Sequence, residues 1–486
     1  MRVVGVGACV VLMACTGAPP EKRSSDVRIG GGTAEGDVAD RGTRMCATVD
    51  GVVHVVWTRD PEADAEAGSQ IQYVRSEDAG STWSEPTALS SSPKDARNPS
   101  IGCTSASLVV AWEDTRVGEI DAESIFVSSS PDQGLTWTPE VAVDFDTLGL
   151  SRSLEPQVAV SQKDAYVVWF DGVSGAFDIY TATSAVGGVP SGGDDVSTAW
   201  RRPVRIDGGN EGGAYSAHAR VAAEPGGKAY VTWEDSRNGL SDIYFSASSD
   251  GGLTFSEDVR LDKGDTAGSY NSFSPTITAE KERVAVAWHD ERSGAGRDVM
   301  LNVSLDGGAS FKDESLRVDT DTPGLSDSIL PSLVLRDGVV HVAWQDARSG
   351  GYDIYYRSWS AGFDADEVRL DTNGAGFGNS IEPVVAVAPD HVVVGWSDYR
   401  DDADGLGYDD LYYAFSGDGG ATWPEDDLRF DNVAKGSKYT EDMNLAVVGN
   451  TLLAAWTDGR YGNPDILFHR LDVGTEATYL ESDAAE

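Results

Sequence analysis

HVAWQDAR, residues 341–348, is the phrase on which the architecture of this 486-residue chain turns. An apolar, β-branched run ends in tryptophan; aspartate follows two residues later and arginine four. The phrase returns as VVAWEDTR (109–116), VTWEDSR (231–237), AVAWHDER (285–292), VVGWSDYR (393–400) and LAAWTDGR (453–460), with weaker copies around Trp57 and Trp169. The eight tryptophans, at 57, 112, 169, 233, 288, 344, 396 and 456, are separated by 52 to 64 residues. Such a period marks units that bury their apolar faces only against neighbouring units.

Each unit divides into four short segments. Around Trp344 they are PSLVLRD (331–337), GVVHVAW (338–344), DIYYRSW (353–359) and EVRLD (367–371). Apolar and polar residues alternate within them, with Gly, Asp and Ser between, which predicts antiparallel strands. Four strands per unit, repeated around an axis, predict an all-β fold: a single β-propeller, typically of four to eight blades. The count here is eight, or seven with one irregular unit. The chain exceeds the roughly 250–300 residues over which one compact core grows, so a core spread around a ring suits its length.

The ends of the chain predict how the ring closes. The last unit offers three segments, MNLAVVG (443–449), TLLAAWT (451–457) and DILFHRL (465–471), and lacks a fourth. Near the N-terminus, DVRIG (26–30) matches the outer segments DVRLD (258–262) and EVRLD (367–371). The N-terminal strand is therefore expected to complete the last blade, removing strand edges that would otherwise template aggregation.

A second phrase falls between the third and fourth strands of five units. It reads SEDAGSTW (76–83), SPDQGLTW (130–137), SSDGGLTF (248–255), SLDGGASF (304–311) and SGDGGATW (416–423). Asp and Ser can satisfy backbone amides, Gly accepts positive φ, and the ring can pin the turn to its blade. This phrase resembles the Asp-box, or BNR repeat, of the sialidase-like propeller family, and the resemblance covers nearly the whole mature chain. It implies that the boxes lie on the face opposite the functional one. Unit three, with the insertion VGGVPSGGDD (186–195), and unit six, with SAGFDADE (360–367), depart from it. Six full copies of the Trp-x-Asp-x-Arg phrase cannot line one site either. They are expected to organise turns by charge-assisted hydrogen bonds, with the tryptophans packed between blades unless one is exposed to stack on a sugar.

Composition narrows the function classes. A net charge of -43 repels nucleic acid and anionic lipid headgroups, so a nucleic-acid role is not expected. Charge alone assigns no metal, and no cofactor is expected. Residues 1–14 read as a bacterial lipoprotein signal, with Arg2, an apolar run and LMAC before a lipidated Cys15. Residues 15–25 then form a lipid-bearing tether, 26–473 the propeller and 474–486 an acidic tail. These features predict a monomer in the cell envelope, anchored to the outer membrane on its periplasmic or surface side. Cys46 and Cys103 remain as a candidate disulfide between comparable inner strands, two buried thiols being the alternative.

Residues that break the repeat locate the candidate site, on the face opposite the boxes. Before and at the start of the inner strands, units five to eight carry mostly Ser, Asp, Asn and hydrophobic residues. Units one to four carry Arg41, Arg44, Arg97, Arg152 and Arg220, with Glu155 and His218 nearby. Converging guanidinium groups could clamp a carboxylate. These residues predict a glycan- or protein-binding module on the loop face. The alternative, implied by the resemblance, is an exo-acting sialidase, which would use an arginine triad and a Tyr nucleophile. Tyr215, Tyr270 and Tyr439 suit the nucleophile by type. The family's N-terminal Arg-Ile-Pro is absent, RIG at Arg28 being a copy of the outer strand, and no catalytic residue is assigned.

Overall fold

A computed structural model describes residues 26–30, 38–61, 68–117, 122–144, 148–162, 164–185, 199–402 and 405–472. The signal, Cys15, the tether and the acidic tail lie outside these residues. The described residues form eight four-stranded antiparallel sheets. In blade 1 the strands are Asp40–Ala47, Val53–Arg59, Gln70–Ser76 and the two-residue outer strand Thr87–Ala88. The inner strands of blades 2 to 8 are Ala96–Thr104, Ser153–Val160, Ser216–Glu224, Ser272–Glu280, Ser328–Arg336, Ser380–Ala388 and Thr440–Val448. Each contacts the next, and the eighth contacts the first, so the ring is shut.

Closure follows the expected route. Val27–Arg28 pairs antiparallel with Asp465–Asp472, with Val27 opposite Phe468 and Arg28 opposite Leu467. The side chain of Asp26, just before this strand, is buried, and its carboxylate accepts Arg460 Nη1 at 2.8 Å and His469 Nδ1 at 2.9 Å. Ile29, 4% exposed, joins the core between blades 8 and 1 with Val53, Trp57, Leu453 and Phe468.

The core is distributed rather than central: eight apolar clusters occupy the eight blade interfaces. One repeat tryptophan sits in each cluster, and all eight are fully buried, so none of them is available to a sugar. Seven indoles donate Nε1 to the aspartate two residues on, as in Trp396 to Asp398 at 2.9 Å. The same aspartate takes the arginine of the phrase: Arg348 Nε reaches Asp346 Oδ1 at 2.8 Å. The phrase is turn chemistry, as expected.

The boxes are scaffold too. In the third, Ser248 Oγ accepts Gly252 N at 2.9 Å, and Asp250 takes Thr254 N at 3.0 Å and Thr254 Oγ1 at 2.6 Å. Gly252 has φ +76°, and a Cβ there would meet Thr183 Cγ2 at 2.3 Å, so glycine lets the turn press against the preceding blade.

Two further expectations are settled. Cys46 and Cys103 form a disulfide between the inner strands of blades 1 and 2, with Cα atoms 6.1 Å apart. The inner strands begin earlier than the alternation suggests: in blade 6 the strand starts at Ser328, not Pro331. A bulge at Leu330 and Pro331 interrupts the period-2 pattern, so the strand's first residues read as loop.

Candidate functional site

That bulge recurs in every inner strand and builds the loop face. The ladder skips between Arg41 and Arg44, Arg97 and Ser100, Leu154 and Gln157, and Ala217 and Arg220. Blades 5 to 8 skip at the equivalent places. The first skipped residues are Gly42, Asn98, Glu155, His218, Ser274, Leu330, Glu382 and Asp442. All are left-handed, with φ between 50° and 69°. Side chains at such positions cost free energy, of order 1 kcal/mol each. Bonds between blades help hold them. Glu155 N donates to Glu113 Oε1 at 2.8 Å, Ser274 N to Glu234 Oε1 at 2.7 Å, and Glu382 N to Gln345 Oε1 at 2.9 Å.

The register makes Arg41 and Arg97 equivalent, each just before the bulge of its strand, and Arg44 and Arg220 equivalent, each just after it. The predicted residues nevertheless fall into separate groups. Arg41 is exposed and pairs with Asp60 at 2.6 Å. Arg97 and Arg152 share one carboxylate: Arg97 Nη2 reaches Glu123 Oε1 at 2.6 Å and Arg152 Nε reaches Glu123 Oε2 at 2.9 Å. Arg97 Nε also reaches Glu113 Oε2 at 3.2 Å. Both glutamates are buried. Burial opposes ionisation of Glu123, but Arg152 and Arg97 hold its carboxyl below the usual range. Burial wins at Glu113, whose carboxyl is pushed up despite its donors.

Arg44 and Arg220 arrive at a common place. They line one cavity of about 650 Å³ with Thr276, Leu330, Glu382 and Asp442, contributed by blades 1, 4, 5, 6, 7 and 8. Residues from so many blades meet only near the propeller axis. Arg44 Nη1 donates to Thr43 O at 2.7 Å and lies 3.6 Å from Asp442 Oδ1. Arg220 Nη1 donates to Ala219 O at 3.0 Å, and no carboxylate among the described residues lies within ion-pairing distance of it. Burial, together with repulsion from Arg44, pulls the Arg220 guanidinium below the usual arginine range against the attraction of Glu155 and Glu234.

Beside Arg220, the bulges of blades 3 and 4 bring Glu155 and His218 together, with Oε2 and Nδ1 3.1 Å apart. This contact raises the His218 pKa and lowers that of Glu155. Of the candidate tyrosines, Tyr215 lies by this pair; burial, Glu155 and Glu234 push its phenol up. Tyr439 lies in blade 8, where burial and Glu441 push its phenol up and Arg41 opposes. Tyr270 is exposed at the entry to blade 5.

The sequence reading missed the acidic side of this face. Glu382, Asp409, Glu441 and Asp442 line a second cavity of about 240 Å³ with Tyr399. Burial pushes Asp409 up to about 6 and Tyr399 to about 12. It also missed Glu113 and Glu234. Their signal was the Glu that follows Trp in VVAWEDTR and VTWEDSR, where the other full copies carry His, Gln, Ser or Thr.

Residues 41–273 match the family described as BNR repeat-like domain. No curated protein matches the chain. Among solved structures, the polysaccharide lyase Uly1 superposes with a TM-score of 0.51 at 9% identity, over 77% of this chain and 90% of that one. The Hadza microbial sialidase Hz136 gives 0.40 at 14% identity, over 87% and 77%. A Dyadobacter fermentans protein of unknown function gives 0.41 at 14%, over 78% and 94%. Repeats, boxes and ring agree with that match: the described residues form an eight-bladed β-propeller, of which residues 41–273 match the BNR repeat-like domain family.

Proposed function

We propose that the protein is a cell-envelope lipoprotein whose propeller binds an anionic glycan at the axial mouth of its loop face, through Arg220 and Arg44. The observation that carries this reading is the isolation of Arg220. The chain has 80 acidic residues against 37 Lys and Arg, and Arg41, Arg97 and Arg152 are all engaged by carboxylates. Arg220 makes no ion pair among the described residues and faces a cavity large enough for a sugar unit. A guanidinium held in this way offers planar, bidentate donors to a carboxylate. The fold is also that of Uly1, a polysaccharide lyase. Lipidated Cys15 would hold the body close to its membrane, since a ten-residue extended tether spans about 35 Å.

Calorimetric titration with oligosaccharides bearing uronate or sialate groups tests the binding. A charge-assisted hydrogen bond contributes about 1.5–3 kcal/mol, so Arg220→Ala is expected to weaken affinity by roughly 10- to 100-fold. Equal affinity of Arg220→Ala and the unaltered protein would remove the reading. Anchoring is tested separately: Cys15→Ala should release the protein from membranes. A sialidase remains the second reading. It ranks lower because Arg97 and Arg152, which would complete an arginine triad, are engaged at Glu113 and Glu123.

A further inference from the structure

Glu155 and His218 occupy equivalent bulges of neighbouring blades, and each has φ 52°. The bulges turn their side chains toward each other across the blade boundary, where Oε2 and Nδ1 meet at 3.1 Å. The pair is open to solvent, at 40% exposure for His218 and 38% for Glu155. Glu155 occupies Nδ1, so Nε2 is the nitrogen left to the ligand, and the carboxylate orients the ring as in other His-carboxylate dyads. Phe170 lies edge-on to the imidazole, with centroids 6.0 Å apart.

Arg220 lies two residues beyond His218 on the same strand, just past the bulge, and its charge acts on the imidazole. A carboxylate seated on the guanidinium therefore holds its α carbon on the His218 side of the cavity. Tyr215, three residues before His218, is 43% exposed at the same rim, and its raised pKa keeps the phenol protonated. The nearby carboxylates are already committed. Glu155 is bound to His218, and buried Glu234 takes the Ser274 amide at 2.7 Å. Among the described residues, the two free carboxylates that most glycoside hydrolases use are not found beside this dyad.

Building on the anionic-glycan reading above, we propose that the loop face cleaves uronate glycans by β-elimination, with His218 as base, Tyr215 as acid and Arg220 as the carboxylate clamp. Arg220, with Arg44 across the cavity, offsets the carboxylate charge and so acidifies the α carbon. His218 Nε2 takes the proton from that carbon. Its electron pair forms a carbon–carbon double bond to the β carbon, and the glycosidic bond there breaks. The leaving oxygen takes the Tyr215 phenolic proton, and the proton on His218 then returns to Tyr215 through solvent. No water, oxidant or cofactor is consumed. Sialates are excluded as substrates, because their carboxylate-bearing carbon has no proton to lose. Glu155 is a positioning residue.

The test uses the full chain with polygalacturonate, alginate and hyaluronan, following the ultraviolet absorbance of the unsaturated uronate product and binding by calorimetry. His218→Asn suits the left-handed backbone, which Asn tolerates. It is expected to lower cleavage by about 100-fold or more while leaving binding within about threefold. Arg220→Ala should lose both. Cleavage should rise with pH as His218 deprotonates. Glu155→Gln should move that rise to lower pH; Glu234 and Arg220 also act on the imidazole and are unchanged in it. A uronate glycan that binds and yields no unsaturated product overturns elimination and leaves the binding reading standing. Cleavage by His218→Asn at the rate of the unaltered protein also overturns it. No binding to any of the three polymers, with none to sialylated oligosaccharides, removes both.

Discussion

Replacing Asp26 with alanine tests how the ring is held shut. Its carboxylate is 1% exposed and joins the two ends of the chain, accepting Arg460 Nη1 at 2.8 Å and His469 Nδ1 at 2.9 Å. Removing one partner of a buried pair costs about 3–5 kcal/mol when the other is left uncompensated. Arg460 retains Asp458 at 2.6 Å, so the lower part of that range applies, about 3–4 kcal/mol. Ile29→Ala, which empties an apolar position in the same interface, should cost a similar 2–4 kcal/mol. Urea denaturation followed by the fluorescence of the buried tryptophans reads both changes. Hydrogen exchange should locate the first loss of protection at Asp465–Asp472, the strand that Val27–Arg28 covers. The dependence on pH has a defined sign. Burial opposes its charge, yet the His469 and Arg460 contacts hold the Asp26 pKa below its ordinary value. Its contribution is therefore present above about pH 4 and lost as the pH falls through the lowered value. If Asp26→Ala unfolds within about 0.5 kcal/mol of the unaltered protein, like an ordinary surface change, the strand is not what closes the ring.

Three further outcomes follow from the geometry. Cys46→Ser should destabilise the protein by about 2–4 kcal/mol in the chain-entropy account, and thiol-specific alkylation before reduction should label neither Cys46 nor Cys103. Burial pushes Asp262 and Asp410 up to about 7 and Asp319 to about 8, their neighbouring carboxylates adding to the shift and Arg260, Arg429 and Arg317 opposing it. The folded chain thus holds protons that the unfolded chain releases near pH 4, so these groups make thermal stability fall between about pH 4 and pH 8. Asp319→Asn should flatten that slope, and an unchanged slope would refute the assignment. Arg97→Ala removes a donor from Glu113 and Glu123 and should cost about 1–2 kcal/mol of stability while leaving glycan affinity within twofold, unlike Arg220→Ala.

Much of the architecture was legible because a propeller writes itself repeatedly. Trp344 and its seven counterparts fixed the period, and the match of DVRIG to DVRLD and EVRLD disclosed the closing strand. The site was less legible for a local reason. Each inner strand carries a bulge that breaks the two-residue alternation, so the first residues of Ser328–Arg336 read as loop. The bulge also decides which side chain faces the axis. Arg97 and Arg220 look alike as cationic interruptions, but the register puts Arg97 before the bulge, against Glu113 and Glu123, and Arg220 after it, in the cavity. Glu155 and His218 are separated by 63 residues, and their contact is a product of ring geometry that no local pattern encodes. The acidic wall at Glu382 and Asp442 was hidden because those units read as featureless before the bulges aligned them.

The most direct test of the functional account is a crystal structure of the protein with a bound uronate or sialate oligosaccharide. The account predicts the sugar carboxylate on the Arg220 guanidinium, within the cavity lined by Arg44, Thr276 and Asp442. A ligand seated on the Asp-box face, or one whose carboxylate pairs with Arg97 or Arg152 while Arg220 stays bare, would contradict it.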